Sequence, residues 1–203
     1  VLAMGAKGAS AADPNAPFTL TDPQKIAEIE KEKDPEEKRN LTSAAISKQF
    51  KNPLITDGYE PGSVFKIVTA SAATEEKTYP LDKLYNCKGY IAVGNPNRDG
   101  KTFWCHKEEG HGWQDMTQAF VNSCNPCFVT IGQSLGVHKF FRYFVAFGFT
   151  EKTGIDLIGE TEPKADVSYH SEKEMNIVEL SSSSFGQSFA VTPIQIITAV
   201  CAI

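Results

Sequence analysis

The sequence predicts a mixed α/β (α+β) chain, and three stretches carry that prediction. From Ser63 to Ala73 there is neither Gly nor Pro and the residues are largely apolar, which describes a buried helix running on toward Glu76. From Pro80 to Gly112 the chain is rich in Gly, Asn and aromatic residues, which describes an irregular lobe of short strands over about residues 80–115. Thr192-Pro193 then opens a final helix to at least Ile203, because Pro suits a first helical turn and Thr the position before it.

The other elements follow in chain order. Val1 to Met4 has the character of a sheet edge, and Ala9 to Asp22, rich in Ala, Pro and Asn, that of a surface loop. Pro23 to Lys33 is helical, with Ile26 and Ile29 on one face; Asp34-Pro35 interrupts it, and Leu41 to Phe50 forms another short helix. Acids and bases balance from Glu28 to Arg39, as on a solvated helix face. Asp57-Gly58-Tyr59-Glu60-Pro61-Gly62 is turn chemistry. It leaves Ser63 at the N-terminus of the buried helix, where N–H groups lack intrahelical acceptors and the dipole is positive. Thr117 to Val121 is helical, and a turn follows at Ser123-Cys124-Asn125-Pro126. Phe128 to Leu135 forms a helix closed by Gly136, and Lys139 to Phe147 an aromatic helix closed by Gly148. Gly154 to Glu160 is loop or strand, and Glu174 to Ser184 carries no decisive pattern.

Bulk composition sets limits on function. A chain of 203 residues makes one large domain or two small ones. Its net charge is −5, with both signs interspersed, which excludes the clustered basic surface of a nucleic-acid binder. No apolar run approaches a membrane span, and no signal peptide opens the chain. Both ends fall inside apolar patterns, so the expectation is a truncated domain, with any membrane anchor upstream of Val1. The cysteines are five (Cys87, Cys105, Cys124, Cys127 and Cys201), an odd number that excludes complete internal pairing and a density too low for a disulfide scaffold.

Ser63-Val64-Phe65-Lys66 spells S-x-x-K. On a helix, positions i and i+3 share a face, so the Lys66 amine reaches the Ser63 hydroxyl. A neutral amine there can take the hydroxyl proton as Ser63 attacks a carbonyl, provided that burial lowers the amine's pKa. The bare spacing is weak evidence, since roughly one such match arises by chance in a chain of this size. A helix-capping Ser beside a solvated Lys is the plainer reading of that spacing alone.

Context changes this. The run Tyr59-Glu60-Pro61-Gly62-Ser63-Val64-Phe65-Lys66 resembles the active-site segment of class B penicillin-binding proteins, the peptidoglycan D,D-transpeptidases. Val121-Asn122-Ser123-Cys124-Asn125 resembles that family's second motif, S-x-N. Gly148-Phe149 with Thr153-Gly154-Ile155-Asp156-Leu157-Ile158-Gly159-Glu160 looks like the segment that follows it. Phe185-Gly186-Gln187 with Val191-Thr192-Pro193-Ile194-Gln195 is similar to the segment opening its late helix. The four segments fall in the family's order, and the resemblance as a whole runs from about Val1 to Ile203, most weakly over Ser10 to Phe50. The S-C-N form of the second motif resembles sporulation-type members.

The resemblance implies a fold of helices flanking an antiparallel sheet, truncated here before the C-terminal strands, with residues 1–203 forming part of one transpeptidase domain. It implies Ser63 as nucleophile, Lys66 as its base, Ser123 as proton relay to the leaving amine, and Asn125 as the residue that holds Lys66 and a substrate amide. The Ser63 N–H forms half of an oxyanion hole. Gly186 and Gln187 are expected at the substrate. Without the resemblance, Ser123 and Asn125 are turn formers before Pro126. Lys152-Thr153-Gly154 spells the family's third motif, K-T-G, but precedes the late helix instead of following it, so the match is refused. The true motif is expected beyond Ile203, which leaves the fragment a weak or inactive enzyme by itself. Peptidoglycan stem peptides and β-lactams are the implied ligands, cell-wall synthesis proteins the partners, and the outer face of the bacterial cytoplasmic membrane the location; no cofactor and no metal are implied.

The remaining cysteines leave alternatives open. Cys124 and Cys127 form C-x-x-C, which is either a redox switch acting on the second motif or a pair of inert buried thiols. Cys87 and Cys105 pair as a disulfide across the lobe, or join His106 and His111 around zinc. Adjacent Cys105 and His106 serve one tetrahedral ion poorly, which disfavours the metal. His138 and His170 read as surface residues. Two rival functions stand beside the transpeptidase. One is a sibling with the same motifs, a penicillin-sensing receptor or a β-lactamase; the other is a non-catalytic zinc- or cysteine-based binding module with no use for Ser63.

Overall fold

The computed structural model describes residues 19–49 and 51–203. The expected sheet edge at Val1 to Met4, and most of the Ala9 to Asp22 loop, lie outside the described residues. Helix α1 (Pro23–Ile29) opens on Asp22, whose carboxylate accepts from the N–H groups of Gln24 and Lys25. It ends earlier than the predicted Lys33. Helix α2 (Pro35–Gln49) begins before the predicted Leu41. Pro35 is its first helical residue, and Asp34 Oδ1 accepts from Glu36 N–H at 2.9 Å, so Asp34-Pro35 is a start signal as well as a break. α2 buries none of its residues, as the balanced charge pattern requires.

Helix α3 (Pro53–Thr56) leads into a 3-10 turn (Gly62–Phe65) continuous with α4 (Lys66–Glu75). Four strands follow: β1 (Tyr85–Cys87), β2 (Tyr90–Val93), β3 (Lys101–Trp104) and β4 (Gly112–Gln114). They form two separate antiparallel pairs, with Cys87 opposite Gly112 and Tyr90 opposite Trp104. Among the described residues these pairs are the only named sheets, and both belong to the predicted lobe.

Helix α5 (Met116–Val121) is closed at its start by a capping box between Asp115 and Gln118. Helix α6 (Asn125–Ala146) starts at Asn125, with Pro126 in its first turn, three residues before the predicted Phe128. It is broken at Gly136 (φ 72°, ψ 166°), the glycine that the sequence marks as a helix end. α7 (Ile177–Ser183) and α8 (Pro193–Val200) complete the chain, each opened by a capping box. α7 settles the undecided stretch around Ser181, and α8 stops short of the predicted Ile203. Gly154 to Glu160 forms a loop.

The core lies between α4, α6 and α7. Phe65 anchors it, its ring 4.7 to 6.1 Å from those of Phe189, Phe149, Phe140 and Phe144. Small residues bring the helices together. A Cβ on Gly132 would fall 1.7 Å from Ser184 Oγ, and Thr69 Oγ1 donates to the Ser184 carbonyl at 2.9 Å. The hydroxyls of Ser181, Ser182 and Ser184 donate to the carbonyls of Ile177, Val178 and Leu180, which lets these serines be buried. No helix among the described residues is long and apolar enough to cross a membrane.

Candidate active site

The turn before α4 is assembled from backbone. Tyr59 and Val191 exchange both of their hydrogen bonds at 3.0 Å, and Glu60 Oε1 accepts from Ser188 N–H at 2.9 Å. Gly62 N–H then donates to the Gly186 carbonyl at 2.8 Å. Gly62 has φ 57° and Gly186 φ 86°, both in the left-handed region. These contacts present Ser63 at the first position after the turn, and Phe65, facing the other way, locks the turn into the aromatic core.

Lys66 is the first residue of α4, and its side chain is buried, with 1% exposure. Its Nζ lies 3.1 Å from Ser63 Oγ, 2.8 Å from the Ser123 carbonyl, 3.0 Å from Ser123 Oγ and 2.7 Å from Asn125 Oδ1. Ser123 Oγ is in turn 2.9 Å from Ser63 Oγ. Two turns separated by 57 to 59 positions in the chain thus meet at the Lys66 nitrogen.

The arrangement accommodates both forms of the amine. The Ser123 carbonyl and Asn125 Oδ1 can only accept, so they take two N–H groups. An ammonium gives its third N–H to one of the two hydroxyls, whereas a neutral amine turns its lone pair toward them and accepts from one. Burial favours the neutral form: it lowers the Lys66 pKa to about 8, although the sulfurs of Cys124, Cys105 and Cys127 draw it partly back. At pH 7 about one amine in ten is then neutral, roughly 300 times the fraction of an ordinary lysine.

The second-motif turn is held in place from both sides. Ser123 has φ 49°, an uncommon conformation for a residue with a side chain. Ser123 N–H donates to the Phe120 carbonyl at 3.0 Å and Cys124 N–H to that of Ala119 at 2.9 Å, which fastens the turn to α5. Asn125 Nδ2 donates to the Trp104 carbonyl at 3.2 Å, so its oxygen is the end left facing Lys66. That contact to the strand lobe has no counterpart in the sequence motifs.

Other expectations change. Gly186 is buried against the backbone of Gly62, with its carbonyl engaged there, so it shapes the Ser63 turn; its neighbour Gln187 is exposed. Lys152-Thr153-Gly154 lies on no strand: the Thr153 N–H and hydroxyl both bond Glu160, closing a loop. Gln195 Nε2 ties that region to α8 through the carbonyls of Gly148 and Glu151. His138 is exposed and pairs with Glu172 at 2.8 Å, but His170 is half-buried.

All five cysteines are free thiols. Of the two pairs suggested by spacing, Cys87 and Cys105 stay together in the fold, and Cys124 joins them with His111, while Cys127 sits in the first turn of α6 outside that cluster. Its thiol is pushed up to about 12 by burial. His106 is outside the cluster, its ring 5.2 Å from that of His111.

Comparisons with known proteins agree with this geometry. Residues 18–203 match the family model described as the penicillin binding protein transpeptidase domain. Stage V sporulation protein D of Bacillus subtilis is 44% identical over 146 residues, covering 71% of this chain and 21% of that protein. Peptidoglycan D,D-transpeptidase MrdA of Acinetobacter baumannii is 28% identical over 156 residues, covering 74% of this chain and 23% of that protein. The structure of penicillin-binding protein 3 from Mycobacterium tuberculosis, complexed with aztreonam, superposes with a TM-score of 0.62 at 26% identity, over 76% of this chain and 34% of that one. The chain spans about a fifth of the length of these two sequence relatives. An S-x-x-K turn facing an S-x-N turn, inside a family match over nearly the whole chain, leaves one assignment: the chain belongs to the penicillin-binding protein transpeptidase domain family.

Proposed function

We propose that this chain carries the acylation centre of a peptidoglycan D,D-transpeptidase. The observation that supports it most is the position of Lys66 Nζ, buried and within hydrogen-bond reach of Ser63 Oγ, Ser123 Oγ and Asn125 Oδ1 together. In this reading Ser63 Oγ attacks the carbonyl of the penultimate D-Ala of a stem peptide, and Lys66 takes its proton. The peptide bond to the terminal D-Ala breaks, and the Ser123 hydroxyl passes a proton to the departing amine. An ester on Ser63 remains. An amine of a neighbouring stem peptide attacks that ester, forms the cross-linking amide and returns the proton to Ser63. The Ser63 N–H, in the first turn before α4, stabilises the oxyanion in both steps.

A β-lactam would acylate Ser63 by the same first step. The aztreonam complex of the mycobacterial relative is in keeping with that reading. Residues 1–203 would form part of one transpeptidase domain, acting outside the cytoplasmic membrane where stem peptides lie, among cell-wall synthesis proteins. The name of the B. subtilis relative points to use during sporulation.

The test is release of D-Ala and formation of cross-linked product from a stem pentapeptide donor and an amine acceptor by the full-length protein. Ser63→Ala is expected to abolish both. Turnover undiminished in Ser63→Ala would overturn the assignment. Rapid hydrolysis of penicillin without cross-linking would favour the β-lactamase sibling instead.

A further inference from the structure

The strand lobe has a construction problem. Each of its two sheets has two strands of three or four residues, and such pairs are marginal by themselves. No described helix lies within the lobe. Where the lobe meets α6, three thiols and an imidazole converge. Cys87 ends β1, Cys105 follows β3, His111 precedes β4, and Cys124 caps α6. Their donor atoms all lie within 4.8 Å of one another, with Cys105 Sγ 3.5 Å from His111 Nδ1. The three cysteines are buried and His111 is half-buried.

We propose that Cys87, Cys105, His111 and Cys124 bind one zinc ion in a tetrahedral site that fastens the strand lobe to the Ser123–Asn125 turn. Zinc bonds of about 2.3 Å to sulfur and about 2.05 Å to nitrogen place S and N roughly 3.5 Å apart at the tetrahedral angle, and two sulfurs roughly 3.8 Å apart. The Cys105–His111 separation already has the first value, and the whole cluster needs only slight contraction to reach the second. Backbone N–H groups of Gly89 and His111 face the Cys87 sulfur, the arrangement that stabilises a bound thiolate. Three thiolates and one imidazole form a closed structural set, with no open position for a reacting water. On binding, each thiol releases its proton to solvent and His111 coordinates as the neutral ring.

Cys124 gives the site its consequence. It lies between Ser123 and Asn125, so the ion fixes the backbone that aims both side chains at Lys66. This consequence rests on the acyl-transfer reading; the metal site does not. It also makes zinc compatible with catalysis, so metal content does not separate a binding module from an enzyme.

Metal analysis of the full-length protein, purified under reducing conditions, tests the proposal. About one zinc per chain is expected, lost in Cys87→Ser and in His111→Ala but retained in Cys127→Ser, whose thiol is equally buried yet outside the cluster. Because those variants can fail to fold, the wild-type protein is also stripped with chelator and titrated with cobalt. Tetrahedral cobalt gives intense visible bands, and sulfur-to-metal charge transfer in the near ultraviolet. No zinc together with no such bands, or an equal loss of metal in Cys127→Ser, would overturn the site. Rebinding of zinc is expected to restore the rate of penicillin acylation lost on stripping. Zinc bound at full stoichiometry by a protein that never reacts with penicillin would support the site and count against the acyl-transfer reading alone.

Discussion

Lys66→Ala is expected to lower the rate of Ser63 acylation by a labelled penicillin by about 10³-fold or more, the usual worth of a positioned general base together with the nucleophile it serves. Lys66→Arg should do no better, because a guanidinium stays protonated throughout the accessible pH range. A lysine that only held the fold would also be damaging to remove, since the Ser123 carbonyl and Asn125 Oδ1 lose their donor. The pH profile distinguishes the two roles. The active form is the neutral amine, so the wild-type rate rises tenfold per pH unit on the acid side and levels off above about 8, the value to which burial lowers Lys66. Lys66→Met, judged folded by its circular dichroism, should lose that dependence along with the rate. A rate retained in Lys66→Met, or a wild-type profile flat from pH 6 to 9, would remove Lys66 from the chemistry.

Gly186→Ala is expected to cost about 3 kcal/mol or more of stability, with loss of penicillin binding by the remaining folded protein. A Cβ there would lie 2.0 Å from the Gly62 carbonyl oxygen and 2.7 Å from Gly62 N, both backbone atoms with no room to retreat, and φ is 86° besides. Gly62→Ala is the matched control. Its φ is 57°, but a Cβ would meet nothing within 4 Å, so only the backbone penalty of about 1–2 kcal/mol applies. Denaturant melts of both variants check this order. Equal costs would show that the approach of Gly186 to the Ser63 turn is looser than the structure has it.

These two glycines also mark how far the sequence could be followed. Gly62 and Gly186 are both visible as turn residues, but nothing local says that they face each other across 124 positions, so the support that Gly186 gives the Ser63 turn is not legible in the sequence. Local chemistry was the legible part. Pro61-Gly62 before a helix without Gly or Pro places Ser63 at a first turn, and Gly136 ends a helix where φ becomes positive. Pro35 shows the limit of the same logic: one residue signals both a stop and a start, and the extent of α2 depends on which is weighed. The cysteines show it most sharply. Spacing groups Cys124 with Cys127, because they are neighbours on the chain. The fold keeps the Cys127 N–H on the Cys124 sulfur but gives Cys124 further neighbours, because the pairing of β1 with β4 brings Cys87 and His111 toward it. A long-range arrangement of that kind leaves no trace in local periodicity. The convergence of Ser63, Lys66, Ser123 and Asn125 would have been equally hidden without a family pattern to link the two motifs.

The most direct test of the acylation centre is to locate the adduct. The full-length protein is incubated with penicillin, its intact mass is recorded, and the modified peptide is identified after proteolysis. A single penicilloyl group is expected on the peptide that contains Ser63, and none on Ser63→Ala. An adduct on Ser123, on a cysteine of the 87–127 region, or persisting at full stoichiometry in Ser63→Ala would contradict the account.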